Sequence, residues 1–298
     1  MHNGAALYAS NAGKLNGLAP EAYIQPQDSI LDNADWESGI INQQAKDEYT
    51  DGGCTIDRWS VNSKNVKLKV LKGKISVEIL KETTVITWAP SQDIESPERF
   101  EGKTLTAATV IDFIDGDWSL FIRFANDNEY IAGPQKKLKA GLNILSYTVP
   151  EGTTHIKCGI LSQAQAAGKS VQVRKIKLES GPYFTGWPVW NYAQELAKCQ
   201  RYQLLTTENG SMHIRAASLS ANNIFFDLPT PVTMRTTPVL TNPEAFVVRR
   251  FGSIEAESGF TFSALVHTGC VRIEASKKAH GLTDATLIVG KSILNANL

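Results

Sequence analysis

Val66-Lys67-Leu68-Lys69-Val70-Leu71-Lys72-Gly73-Lys74-Ile75-Ser76-Val77-Glu78-Ile79 is the stretch that decides the fold class. Val66, Leu68 and Val70 alternate with lysines, Lys72-Gly73-Lys74 turns the chain, and Ile75, Val77 and Ile79 alternate again. Period-two patterning on both sides of a glycine turn is the mark of a β-hairpin. One face is apolar. The lysine face lies in water and discourages edge-to-edge pairing.

The pattern repeats on both sides of the hairpin. Strands are expected at Leu105–Asp112, Ser119–Ala125, Asn143–Val149, His155–Leu161 and Val171–Glu179. In the last, Val171 and Val173 sit in odd register while Ile176 and Leu178 sit in even register, so a bulge at Arg174-Lys175 is expected. Many short strands with turn residues between them indicate an antiparallel sandwich or barrel. Gly181–Trp190 breaks the pattern with two prolines, two glycines and two tryptophans. A helix follows: Asn191 can cap it, Gln194 can return the bond, and Tyr192, Leu196 and Cys199 share a face. That apolar stripe is expected to pack on a neighbouring domain or chain, with Trp187 and Trp190 pinning the helix to the first domain. Strands return at Ile224–Leu228, Pro238–Asn242, Phe246–Arg250, Phe260–Val266, Val271–Ala275 and Thr286–Leu294.

The chain is thus expected to be all-β. Residues 1–27 read as a linker or stalk end, 28–186 as a β-sandwich, 187–203 as a helical connector and 204–298 as a smaller β-sandwich domain, the expected receptor-binding tip. Its 298 residues suffice for two domains that each bury a core.

Composition narrows the function. Lys+Arg and Asp+Glu balance at 30 each, without the basic excess that nucleic-acid binders use to displace counterions, so DNA and RNA are not expected partners. No apolar run approaches the roughly 20 residues of a membrane span. Met1 to Pro20 lacks the charged start and apolar stretch of a secretory signal, so ordinary secretion is not expected. A particle assembled in a cell and freed by lysis needs no such signal. The four cysteines, Cys54, Cys158, Cys199 and Cys270, are far apart with no zinc spacing, and read as free structural thiols.

No Gly-x-Ser-x-Gly, HExxH or Gly-rich phosphate loop is present. The five histidines (His2, His155, His213, His267, His280) have no sequence-local partner, and His155 is expected to face water. Asp112, Asp115 and Asp117 cluster in Ile111-Asp112-Phe113-Ile114-Asp115-Gly116-Asp117-Trp118. Asp-Gly accounts for a plain hairpin turn. A calcium ion held by Asp112, Asp115 and Asp117, or a sugar held by Asp115 and Asp117, is the sharper alternative. No other cofactor is expected. Sugars present apolar C–H faces, and flat aromatic rings with polar neighbours suit them. Trp36 and Trp59 read as core, since large aromatics dominate sandwich interiors. Trp88, Trp118 and Tyr130 are the candidate platform, Tyr130 beside the polar loop that holds Asn126 and Asn128. In the second domain, Arg249, Arg250 and Phe251 form a turn able to grip an acidic glycan or phosphate. A solvated turn, with an arginine paired to Glu255 or Glu257, is the plainer alternative.

Three segments resemble bacteriophage and tailocin tail-fibre proteins. Asn11-Ala12-Gly13-Lys14-Leu15-Asn16-Gly17 through Tyr23 resembles a stalk element. Leu31-Asp32-Asn33-Ala34-Asp35-Trp36 through Thr55-Ile56-Asp57-Arg58-Trp59 is similar to the opening of a carbohydrate-binding-module-like jelly roll. Gly186-Trp187-Pro188 through Tyr202 resembles the helical connector that closes it. Met234-Arg235-Thr236-Thr237-Pro238 and the ending Ala296-Asn297-Leu298 carry a weaker likeness. The resemblance implies an N-terminal jelly roll, a homotrimer, other tail or baseplate proteins as neighbours, residence on a virion or phage-tail-like particle, and adhesion to bacterial surface polysaccharide without cleavage. The stalk element occurs once, so the chain reads as a short fibre or a piece of a longer one. A polysaccharide depolymerase or glycosidase, with two carboxylates across a cleft, is the enzymatic alternative. A spacer or baseplate component is the structural one.

Overall fold

The computed structural model describes residues 26–207 and 211–296. The stalk-like element, His2 and the last two residues lie outside them. The described chain is β throughout, with one α-helix, Tyr192–Gln200 (α1), and two short 3-10 turns. No helix among the described residues is long and apolar enough to cross a membrane.

In chain order the first strands are Glu48–Tyr49 (β1), Gly53–Cys54 (β2), Ser60–Val61 (β3), Val66–Leu71 (β4), Lys74–Ile79 (β5), Thr87–Asp93 (β6) and Thr104–Asp115 (β7). Trp118–Ala125 (β8), Tyr130–Ala132 (β9), Gln135–Lys137 (β10), Gly141–Thr148 (β11), His155–Ser162 (β12) and Ser170–Ser180 (β13) follow. They form a β-sandwich of two sheets, ordered β1-β4-β5-β13-β7-β11 and β10-β8-β12-β6-β3-β2, with β9 beside β8. Leu68, Val77, Ile111, Val173 and Leu178 from the first sheet meet Ala89, Leu120, Ile122, Ile156 and Ile160 from the second in one buried cluster. The hairpin forms as expected, Leu71 opposite Lys74 around Lys72-Gly73. Its lysines find acids, Lys67 with Glu78 at 2.9 Å and Lys69 with Glu48 at 3.1 Å. Irregular register in β13 against β7, at Gln172–Lys175, lets Val171, Val173, Ile176 and Leu178 all point inward.

A knot of side chains closes the end of this sandwich, built from the second resembling segment. Asn33, fully buried, donates its amide to the carbonyls of Ile41 and Asp57 and accepts from Ile41 N–H. The Trp59 indole N–H donates to the Asn33 carbonyl at 2.8 Å, and Trp36 meets Trp59 edge-on at 5.1 Å. Arg58 pairs with Asp32 at 2.9 Å. These residues hold the fold.

Asp57, also fully buried, accepts from Gln43 N–H and its side-chain amide. Burial outweighs those bonds and raises its carboxyl from 3.8 to about 6. Between those values the folded chain holds a proton that the unfolded chain has lost. The contribution is therefore complete below 3.8 and disappears as pH rises through 6. Urea unfolding should show stability increasing as pH falls from 7.5 to 5, by about 1.4 kcal/mol. An Asp57→Asn variant should flatten that slope. A wild-type chain that weakens over this range contradicts the assignment.

Behind the first sheet, Lys177 and Glu179 alternate with Ile176 and Leu178 on the outer side of β13, yet only 1% of Lys177 and 0% of Glu179 side-chain surface is exposed. The segment after β13 covers them. Lys177 donates to Glu179 at 2.9 Å, to the Thr185 hydroxyl and to the Gly186 carbonyl, and Thr185 donates its N–H and hydroxyl to Glu179.

Helix α1 starts at Asn191, whose side chain accepts from Gln194 N–H at 3.2 Å. Glu195 accepts from Asn33 N–H, docking the helix on the first sandwich. Trp190 lies against Gly39, where any Cβ would be 2.3 Å from the indole. Cys199 is buried, while Tyr192 stays 56% exposed.

Beyond α1, one three-stranded sheet (Gln203–Leu205, Ile293–Asn295, Val239–Leu240) and two four-stranded sheets enclose a second buried cluster. Phe226, Val248, Ile273 and Leu287 belong to it. The single strand expected at Thr286–Leu294 is two, Ala285–Val289 and Ile293–Asn295. They separate because Gly290 N–H bonds to Ala245 and Ser292 N–H to Thr206, so the chain changes sheets there.

The two lobes are fastened directly. Gln43 donates to Gln203 O and accepts from Leu205 N–H, Arg58 lies 3.4 Å over the Tyr202 ring, and Glu95 pairs with both Arg201 and Arg235. All four cysteines are free. Burial pushes the Cys158 thiol up to about 12, whereas Cys54, read as structural, is exposed.

Candidate functional site

The outer face of the second sheet gathers the half-buried Trp88, Arg123 and Lys157 and the exposed Tyr130. Its register explains how. Leu120, Ile122 and Phe124 of β8 point into the core, so Phe121 and Arg123 point out. Ile156, Cys158 and Ile160 of β12 point in, so Lys157 and Gly159 point out. Cross-strand pairing makes one row of Arg123, Lys157 and Asp93, and the next of Gln135, Phe121, Gly159 and Ser91. Tyr130 sits opposite Ala125 in the row beyond.

Trp88 comes from β6. Between Trp88 and Ser91 the strand has two residues against the one residue between Gly159 and Leu161, a bulge that accommodates Pro90 without a ladder donor. Gly159 makes this possible, because a Cβ there would meet Pro90 O at 2.2 Å and Ser91 Cα at 2.7 Å. The half-buried Trp88 ring stacks on Phe121 at 6.2 Å. The Arg123 guanidinium lies 5.1 Å from the Trp88 ring and 5.7 Å from that of Tyr130. The Lys157 ammonium is also 5.1 Å from Trp88 and 3.1 Å from Asp93. Tyr130 is 57% exposed and offers the open ring. Phe121, only 2% exposed, backs Trp88 from beneath, so the face offers the Trp88 and Tyr130 rings together with positive charge and hydrogen-bond donors.

Asn126 orders the loop that presents Tyr130. Its side-chain oxygen accepts from the N–H groups of Asn128 and Glu129, and the exposed Asn128 follows it at the rim. His155, exposed as expected, meets Asp127 at 2.7 Å across the same rim. A cleft of about 440 Å³ begins where the row ends, lined by Asp93, His155, Arg58, Glu95, Tyr202 and Arg235.

The other sequence candidates lie elsewhere. Trp118 has no exposed surface, belongs to the core cluster, and donates its indole N–H to Asp115 O, so it forms no platform. Strand alternation places it in phase with Leu120. Asp115 and Asp117 flank the β7–β8 turn, at the opposite end of β8 from Ala125, which sits beside Tyr130. Asp112 pairs with Lys74 and Arg174, Asp115 with Lys169, and Asp117 with Lys137. Each carboxylate is drawn to its own cation, and among the described residues no group of three or more His, Cys, Asp or Glu converges as a metal would require. These pairings fit the plain Asp-Gly hairpin turn, the alternative to a calcium loop. In the second lobe, Arg250 stands 4.0 Å from Glu257, and Phe251, 55% exposed, lies under Arg215, which pairs with Asp284. Arg249 buries an unpartnered Nε nearby.

Arg123, Lys157, Phe121 and Gly159 were not singled out in the sequence. The signal was present: each falls out of phase with core residues on a strand already expected.

No family model matches the chain, and no curated relative matches it. Among solved structures it is similar to the CBM22-1–CBM22-2 tandem domain of Paenibacillus barcinonensis Xyn10C, at 10% identity over 93% of this chain and 99% of that one, TM-score 0.33. It is similar to the C-terminal family 22 carbohydrate binding module of Clostridium thermocellum Xyn10B, at 12% identity over 53% of this chain and 99% of that one, TM-score 0.34. The CBM22-1–GH10 modules of the Clostridium xylanase match at 12% identity and TM-score 0.31, over 45% of this chain and only 27% of that one. Scores this low carry no argument. The all-β sandwich assignment rests on the strands and cores of this chain.

Proposed function

We propose that this chain is a non-catalytic glycan-binding protein, the receptor-binding part of a phage or tailocin tail fibre, holding polysaccharide on a bacterial surface. The Trp88–Arg123–Tyr130 face carries the reading. An exposed ring beside a half-buried one can take the C–H face of a sugar, and the donors around them can take its hydroxyls. The fibre assignment leans on the resembling segments, which here build the Asn33 knot and the α1 connector. A single shallow site binds weakly. A homotrimer on one stalk raises avidity by roughly a hundredfold or more, which makes trimerisation and residence on a virion part of the proposal.

Binding of the full chain to a glycan array and to host-cell polysaccharide tests it. Tyr130→Ala, which removes an exposed ring and leaves the cores intact, should weaken the bound glycan by about tenfold. Binding untouched by this change would move the site elsewhere. Release of reducing ends from the polysaccharide would replace adhesion with the depolymerase reading.

A further inference from the structure

We infer that the glycan held on this face is acidic, and that Arg123 takes its carboxylate. The inference rests on the glycan-binding reading above and adds the chemical class of the ligand.

Arg123 sits near the middle of the outer face, half-buried between the rings of Trp88 and Tyr130. Its guanidinium makes no hydrogen bond and no ion pair with any described residue. Two other arginines of the same sandwich are paired, Arg58 with Asp32 and Arg174 with Asp112 and Glu37, while Arg99 is exposed and has a ring contact alone. A guanidinium carries five N–H donors in a planar fork that fits a carboxylate with two parallel bonds. The two rings hold the guanidinium in place, and none of its donors is committed to a described residue. Held between rings, the fork also has fewer rotamers to lose when a ligand arrives.

The row supplies a second cation. Lys157 lies beside Arg123 and leans over the same Trp88 ring, with only Asp93 to balance the two charges, and Asp93 is 58% exposed. The row is therefore net positive in a chain whose net charge is zero. A neutral sugar would stack here while leaving the fork to water. A uronic or sialic acid residue would stack and satisfy it, with charge-assisted bonds that a half-buried site strengthens.

An array carrying acidic glycans (hexuronate- and sialic acid-containing) beside neutral ones, probed with the wild-type chain, Arg123→Gln, Arg123→Lys and Tyr130→Ala, decides the matter. The wild type should select acidic glycans, lose them on chemical reduction of their carboxyls, and bind less as NaCl rises. Arg123→Gln should weaken the selected glycans by roughly tenfold to a hundredfold. Arg123→Lys, which keeps the charge and loses the fork, should fall between. An unchanged thermal midpoint for either variant separates lost recognition from lost fold. Neutral glycans that depend on Tyr130 but not on Arg123 overturn the acidic-ligand inference and leave the glycan-binding reading standing. Glycans indifferent to both residues, or no glycan bound at all, overturn both.

Discussion

Replacing Glu179 with alanine should destabilise the first sandwich by about 3–5 kcal/mol, because it leaves the Lys177 ammonium buried without its carboxylate. In the native fold that ammonium has Glu179 at 2.9 Å, the Thr185 hydroxyl at 3.0 Å and the Gly186 carbonyl at 2.7 Å. Taking two charges out of water is costly, and their mutual attraction offsets the cost only while both are present. Removing one partner also frees Thr185, whose N–H and hydroxyl both donate to Glu179. Urea denaturation measures the loss directly. A Lys177→Met, Glu179→Leu double variant should recover most of it, since apolar side chains of similar size carry no desolvation cost. A single variant as stable as the wild type would mean that the ammonium reaches water when its partner is gone.

Trp59→Ala should cost a comparable 3–5 kcal/mol. The indole is 1% exposed, sits edge-on to Trp36, and bonds through its N–H to Asn33 O. The cavity would open in the middle of the knot, where the surrounding groups are held by buried hydrogen bonds and cannot collapse into it. Asn33 O would also lose its donor. Trp59→Phe keeps most of the apolar volume but not the N–H, so it should lose clearly less. Thermal melts of the two variants compare these contributions. Equal midpoints would assign the whole effect to the hydrogen bond.

The strands were legible because burial in a sandwich is one-sided. Val66, Leu68 and Val70 against Lys67 and Lys69 could be read directly, and so could the register change in Ser170–Ser180. Strand β6 was not, since Pro90 interrupts its pattern and the compensating bulge lies against another strand. The candidate site was half legible. Trp88 and Tyr130 were found as aromatics beside polar residues. Trp118 looked the same in sequence, and only its phase with Leu120 and Ile122 sends it inward. Arg123 and Lys157 were passed over because a single charge on a strand reads as solvated. Their meaning comes from neighbours 34 residues apart in sequence, placed side by side by register. Asp112, Asp115 and Asp117 misled for the converse reason: closeness along the chain does not gather carboxylates when a cation waits for each.

The seam between the lobes bears on how the chain can be divided. Gln43 and Arg58 belong to the first lobe by sequence, yet they grip Gln203, Leu205 and Tyr202 on the far side of α1. Severing the polypeptide before the helix would strip Tyr202 of its stacked guanidinium and leave Asn33 N–H without the Glu195 carboxylate. Each half would then display a raw surface that the intact molecule keeps covered. The seam is built from both lobes at once, so neither half carries all of its own surface alone.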